Sequence, residues 1–446
     1  MSGRNERFAP ERLRTWRPGP VAFAVAALAF AASTVLQISG VPFTSSFGTR
    51  TRFDFDVYRL GGQLWHHGIS LYADGSLPFT QDGIWLPFTY PPFAALVFTP
   101  LGQVGLDVGG ILISIVSAVC LAYSMWVVLR ALRVGTSRGR IVLALWISAI
   151  AVWFNPFGMT LGFGQINIIL MALILTDVFV IGRRRSDEAA TPLRGVLTGL
   201  SAAIKLTPLV FLAVFASAGR WRAFWTGLAA FVAAAGVAWA WLPADSKTYW
   251  TDTVFHTTRI GVPEGPINQN LNGSWLRIFG VDNPAAPAAW VLSSLVVTGL
   301  AVLALISVRP VAAFAPGADA RDDVDAVLVV SIVAFWGLLV SPTTWAHHWV
   351  WALPAILACI VVAARSRDLT TVRLYAGLAA TGIAIFAIGP FQLMPHDVTT
   401  WSWWQHLIGD AYVLWALAFL TIVWRYPFRQ AAVPAAGGVA AGAAAG

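Results

Sequence analysis

The sequence predicts an all-α integral membrane protein, and three figures carry that reading. Hydrophobic residues make up 57% of the 446, charged residues only 11%, and the mean hydropathy is +0.70. Runs such as 21–36 and 108–129 hold no charge at all, and several approach the roughly 20 residues that cross a bilayer as a helix. A soluble core has no room for so many of them.

Taken in order, the tail 1–18 carries Arg4, Arg7, Arg12, Arg14 and Arg17 and is expected in the cytoplasm. The first span, 19–40, lacks a small-residue cleavage site and reads as a retained helix. A large first outer loop, 41–107, follows. Within it Tyr90-Pro91-Pro92-Phe93 through Pro100 is apolar but short and broken by proline, which suits a partial or re-entrant insertion. Later spans are expected near 108–129, 141–155, 163–181, 193–206, 207–219, 222–242, 286–308, 325–343, 348–364, 373–393 and 406–424. That makes about twelve crossings in a single polytopic domain, 19–430, with both ends cytoplasmic and a second large outer loop at 243–285. The final stretch, 431–446, is Ala/Gly-rich and reads as a disordered tail.

The distribution of positive charge sets the orientation. In this threading seven of the 29 lysines and arginines lie outside: Arg50, Arg52, Arg59, Lys205, Lys247, Arg259 and Arg277. That skew is what the preference for cytoplasmic Lys and Arg demands. Joining 193–219 into one span would flip every later loop and put Arg365, Arg367 and Arg373 outside, so the two-span version is preferred. The net charge of +8 is spread over short inter-span runs rather than gathered into a patch, which argues against nucleic acid as a partner. The two cysteines, Cys120 and Cys359, fall inside apolar spans and suggest neither a disulfide framework nor a metal pair.

The unusual polar residues collect on the outer side. Asp54 and Asp56, in Phe53-Asp54-Phe55-Asp56-Val57-Tyr58-Arg59, are candidates for a general base, if their surroundings raise the carboxyl pKa towards the working pH. The competing reading is a solvated acid paired with Arg52 or Arg59. Lys205 stands alone between the apolar runs 196–204 and 206–214. An isolated lysine in lipid costs about 2.5–3.5 kcal/mol, so it needs a counter-anion such as phosphate, or it snorkels to the headgroups. His347 and His348 suit contacts to a phosphate; adjacent histidines on a helix point about 100° apart, which disfavours joint metal ligation. Arg259 is a further candidate for phosphate. Gln165, Asn167, Asn268, Gln269 and Asn270, with Tyr58, Arg59 and Glu264, offer hydrogen bonds to sugar hydroxyls, although amides in loops also serve turns and caps. Trp65, Trp85, Trp250, Trp275 and Trp401 are possible stacking platforms, the alternative being an interfacial belt. No Walker motif or strand-linked GxGxxG is present, and no DxD is read as a nucleotide-sugar–metal site. An enzyme with its site outside the cytoplasm lacks a nucleotide-sugar pool and needs a membrane-anchored activated donor.

Several segments, in order along most of the chain, resemble a known family: Asp54-Phe-Asp-Val-Tyr58 with Leu71-Tyr72, Tyr90-Pro-Pro-Phe-Ala, Gly164-Gln-Ile-Asn167, Ile204-Lys-Leu-Thr-Pro208, Asn268-Gln-Asn, and Ser341-Pro with Trp345-Ala-His-His348. The chain is similar to the polyprenyl-phosphate-mannose-dependent α-mannosyltransferases of glycosyltransferase family 87. The resemblance implies a GT-C-type helical bundle in the cell membrane, with its active site on the extracytoplasmic side. It also implies an inverting transfer of mannose from polyprenyl-phosphate-mannose to a glycolipid or lipoglycan, giving an α-(1,2)-mannoside without a metal or other cofactor. The family's base maps best onto Asp54, with Asp56 close by. Lys205 and His347 or His348 then stabilise the phosphate, and a monomer embedded in membrane lipid is expected. Two alternatives stay open: an arabinosyltransferase using polyprenyl-phosphate-arabinose, and a transporter for lipid-linked glycan, which would place ionisable groups on broken helices.

Overall fold

A computed structural model describes residues 15–40, 52–73, 86–181, 191–256, 261–315, 320–395 and 401–428. Residues 1–14 of the expected tail 1–18, and the whole of the expected tail 431–446, lie outside the described residues. Those described are almost wholly helical, and among them the only β-type pairing is an isolated bridge between Asn268 and Trp345.

Each apolar segment of the sequence coincides with a helix, but length changes the crossing count. Among the described residues seven helices are long and apolar enough to cross a bilayer, and up to nine if two bent pairs each count as one span. They include α1 (Pro20–Ser39), α4 (Leu106–Ala131), α10 (Trp221–Trp241), α13 (Ala285–Ser307) and α14 (Ala320–Val340). The 3-10 turn Ala346–Trp351 continuing into α15 (Ala352–Arg365), and α16 (Leu369–Ile388), complete the set. The bent pairs are α5 (Ser137–Ala151) with α6 (Asn155–Phe163), at 79°, and α17 (Trp403–Gly409) with α18 (Ala411–Arg425), at 73°. The twelve crossings expected from hydropathy are therefore not supported. The segments near 163–181, 193–206 and 207–219 form α7 (Asn167–Phe179), α8 (Val196–Ile204), and a 3-10 turn Thr207–Phe211 leading into α9 (Leu212–Ser217). At 13 residues or fewer, with about 1.5 Å of rise each, they are too short to span.

The ends of the long helices follow local chemistry. Asp368 caps α16 by accepting from the Thr371 amide at 2.8 Å, and Gly389 closes it in the left-handed conformation. The exposed tryptophans of α10 sit at its two ends, Trp221 and Trp225 against Trp239 and Trp241, as interfacial anchors do.

Two helices of the first outer loop build a second, smaller core. The aspartate segment is helical rather than extended: α2 (Phe53–His66) packs on α3 (Pro92–Gly102), which at 11 residues is too short to cross. Their approach needs glycine. A Cβ on Gly61 would lie 2.3 Å from the Phe88 ring, and one on Gly62 would lie 2.5 Å from the Phe98 carbonyl. On the other flank Gly164, at φ +67°, has no room for a Cβ, which would meet Phe55 at 2.6 Å. That same turn delivers Gln165 and Asn167 beside α2.

Candidate active site

Helical periodicity separates the two aspartates. Positions two apart on an α-helix point about 200° apart. Asp56 is buried and paired with Arg59, at 2.9 and 2.7 Å to Nε and Nη2. Asp54 is half-buried, and it lines a cavity of about 360 Å³. Burial pushes the Asp54 carboxyl up to about 6, while the nearby Lys205 ammonium and a hydrogen bond from Gln165 pull it back down.

The cation facing this acid is placed by a broken helix. α8 ends at Ile204, and Lys205 is extended, at φ −143° and ψ 122°. Pro208 has no amide hydrogen to continue the ladder, so the chain restarts as a 3-10 turn. Lys205 Nζ donates to Asn167 Oδ1 at 2.9 Å and Gln165 Oε1 at 3.4 Å, and lies 3.2 Å from His348 Nε2. Among the described residues no carboxylate comes within ion-pairing distance. Gln165 is itself held by Tyr58 Oη, which donates to Oε1 at 2.6 Å, while Gln165 Nε2 donates to Tyr90 Oη at 3.2 Å. Tyr58 thus supports the cavity floor from behind, and Arg59 is committed to Asp56.

The two histidines also part. His348 lines the cavity. His347 is buried, with neither ring nitrogen partnered among the described residues, and packs edge-on against Phe163 and His348. Its backbone carbonyl accepts from Asn167 Nδ2 at 3.0 Å and Thr160 Oγ1 at 3.2 Å. A 3-10 turn rotates successive side chains by about 120°, so one neighbour faces in and the other faces the cavity. Among the described residues no group of three His, Cys, Asp or Glu gathers to hold a metal ion.

Asn268, Gln269 and Asn270 do not reach the cavity; the structure gives them a different job. All three are fully buried. Asn268 Nδ2 donates to the Pro263 carbonyl at 2.6 Å, and its Oδ1 accepts the Thr344 amide at 2.8 Å. Gln269 Nε2 donates to the carbonyls of Pro266 and Gly409. Asn270 Nδ2 donates to the Ser341 carbonyl at 2.6 Å, and its Oδ1 caps α12 (Leu271–Phe279) at Gly273. Their amides satisfy backbone that has no regular partner, pinning the loop to Ser341–Trp345, whose Pro342, Thr343 and Trp345 line the cavity. Glu264 contributes its carbonyl to Arg277 and does not line the cavity. Arg259 and Trp85 lie outside the described residues. Trp65, Trp250, Trp275 and Trp401 serve packing: Trp65 donates to Thr99 and Trp275 to Ser293, Trp250 lies against Phe231, and Trp401 lies under Arg277. Among the described residues the tryptophan at the cavity is Trp345, which the sequence marked only as part of a family-like segment, and beside it stand Tyr249 and Thr253, which the sequence did not single out.

A second cavity, about 250 Å³, adjoins the first through shared Thr207, Ser341 and His348. Its other walls are largely apolar, including Leu170, Met171, Ile174, Phe211 and Leu338. An acid with a raised pKa faces a lysine held only by neutral groups, beside a greasy recess. Such a site can deprotonate a hydroxyl and receive a phosphate attached to an apolar chain.

The model of glycosyltransferase family 87 matches residues 88–342. Among curated proteins the chain is 36% identical over 388 residues to a polyprenol-phosphate-mannose-dependent α-(1-2)-phosphatidylinositol mannoside mannosyltransferase of Mycobacterium tuberculosis, covering 84% of each chain. It is 38% identical to the protein of the same description in Mycolicibacterium smegmatis, covering 83% of each. A polyprenol-phosphate-mannose-dependent α-(1-2)-phosphatidylinositol pentamannoside mannosyltransferase of Mycolicibacterium smegmatis is 32% identical over 425 residues, covering 92% of each. No solved structure matches the chain.

Proposed function

The chain belongs to glycosyltransferase family 87, and on that premise we propose that it moves mannose from polyprenyl-phosphate-mannose to a phosphatidylinositol mannoside, forming an α-(1,2) bond. The observation that carries this reading is the facing of Asp54 and Lys205 across one cavity, with His348 opening onto the apolar recess.

In this reading the phosphate lies against Lys205 and His348, and the first isoprene units occupy the recess lined by Leu170, Met171 and Phe211. The Asp54 carboxylate takes the proton from the attacking acceptor hydroxyl as its oxygen bonds to the anomeric carbon. The carbon–oxygen bond to phosphate breaks on the opposite face, inverting the centre. The electron pair leaves on the phosphate, where Lys205 meets the added charge. A lipid monophosphate is an adequate leaving group with such a cation in place, so we assign the step no metal. Asp56, occupied by Arg59, is not the base.

We assign the site to the extracytoplasmic face of the membrane, where no nucleotide-sugar pool exists and a membrane-anchored donor is required. The test is direct. Protein in nanodiscs, given radiolabelled polyprenyl-phosphate-mannose or polyprenyl-phosphate-arabinose and phosphatidylinositol mannoside, should yield labelled glycolipid from the mannosyl donor alone. Product from arabinose only, or from neither, would falsify the proposal. For sidedness, a cysteine placed at Trp345 should react with an impermeant thiol reagent on intact cells; labelling only after lysis would reverse the assignment.

A further inference from the structure

We infer that the segment 243–256 is the acceptor wall of the cavity, with Thr253, Tyr249 and His256 holding hydroxyls of the sugar that receives mannose. This rests on the transferase reading above and names the second substrate's place within the site.

The wall is rigid. It consists of α11 (Pro243–Thr251) and the 3-10 turn Thr253–Phe255. Asp245, itself buried, accepts from Ser70 Oγ at 2.8 Å and the Leu71 amide at 3.1 Å, which ties α11 to the chain just beyond α2. The Tyr249 ring packs on Tyr72 at 5.4 Å. Thr253 is 6% exposed and lines the cavity, yet its buried Oγ1 has no hydrogen-bond partner among the described residues. A buried hydroxyl is ordinarily satisfied, so this one points to a ligand group. Tyr249, 2% exposed, lines the same space. At the opening His256 lines the cavity with its Nδ1 near the Asp252 carbonyl (3.0 Å) and carboxylate (3.2 Å), which leaves Nε2 to face a ligand.

Chemistry separates this end from the other. Lys205, His348 and the apolar recess form the end suited to a phosphate and its hydrocarbon chain. The 243–256 wall presents hydroxyls and an imidazole, which suit neutral sugar hydroxyls. It also grades from buried Tyr249 to Phe255, 73% exposed, so a glycan whose lipid anchor stays outside can be received at its tip. With the donor's phosphate at one end, the sugar at the Thr253 end is the acceptor's.

The test uses full-length protein in nanodiscs and the variants Thr253→Val, which removes the hydroxyl at constant shape, and His256→Gln, which is at the surface and leaves the core intact. Phosphatidylinositol mannoside binding is measured without donor, and steady-state transfer is measured with each substrate varied. Each variant is expected to weaken acceptor binding and raise acceptor KM by ~5–10-fold, as loss of one hydrogen bond does, with donor KM unchanged. Lys247→Ala, on the same helix but exposed, should alter neither. A rise in donor KM instead would assign the wall to the donor's sugar and overturn the inference, as would unchanged acceptor affinity in both variants. If wild-type protein binds the acceptor, and the variants weaken that binding, but no mannose is transferred, the wall stands and the transferase reading fails.

Discussion

Two buried cations are treated in opposite ways in this molecule. Arg277, 1% exposed, is paired with a carboxylate: its guanidinium contacts Asp410, donates to the carbonyls of Gly265 and Asn268 through Nη1, and lies over the Trp401 ring. Asp410 in turn contacts His406 at 2.7 Å. Lys205 is nearly as buried, at 8%, but its partners are neutral amides and an imidazole. A charge neutralised by a buried carboxylate builds a fixed structure, here the loop that carries the Asn268–Trp345 bridge. A charge given only neutral neighbours keeps its attraction for an anion that comes and goes. The first region frames the cavity; the second works in it.

The contrast makes graded predictions. Asp54→Asn should reduce transfer by ~10³-fold while leaving the melting temperature in detergent near that of wild type, because no direct ion pair is broken. A stable, fully active variant would remove Asp54 as the base. Lys205→Met should cost about 10²-fold in turnover, read from steady-state transfer; a loss below tenfold would place the phosphate elsewhere. The carboxylate is the active form of the base, and Asp54 is raised to about 6. The logarithm of kcat/KM should therefore climb with unit slope below pH ~6 and level off above it. Because Lys205 lowers that value, Lys205→Met should shift the rising limb to higher pH, with Tyr58 and Tyr90 still protonated throughout.

In the committed region the damage should be to stability instead. Asp410→Asn strands the Arg277 charge, and a loss of about 3–5 kcal/mol is expected, seen as an early thermal transition in detergent with turnover per folded molecule largely kept. Asp56→Asn should have the smallest effect, about 1–3 kcal/mol from its bonds to Arg59, and transfer within tenfold of wild type. Loss of activity as deep as that of Asp54→Asn would exchange the roles of the two acids.

Much of this was legible in the sequence, and the illegible parts share a cause. Hydropathy located the helices but could not say which solvent each one meets. Ala285–Ser307 and Asp323–Val340 are almost equally apolar, yet 17% of one window and 78% of the other is buried, because lipid and protein interior select the same residues. Asp54, Gln165, Lys205 and His348 stood out as polar groups gathered on the outer side. Asn268, Gln269 and Asn270 stood out for the same reason but secure backbone, since an amide bonds a carbonyl as readily as a sugar. Thr253 and Tyr249 gave no signal: a threonine and a tyrosine in a loop are unremarkable until an empty hydrogen-bonding position and a cavity wall are seen.

The neutral seat of Lys205 has a consequence for timing. The incoming phosphodiester bears one negative charge, whereas the departing lipid monophosphate carries up to two, its second pKa being near 6. A socket whose direct partners among the described residues are all neutral therefore grips spent carrier more firmly than fresh substrate. Turnover in such a device is expected to be paced by emptying rather than by bond-making. A rapid first round, followed by a slower steady rate that free polyprenyl phosphate suppresses further, would be its kinetic signature.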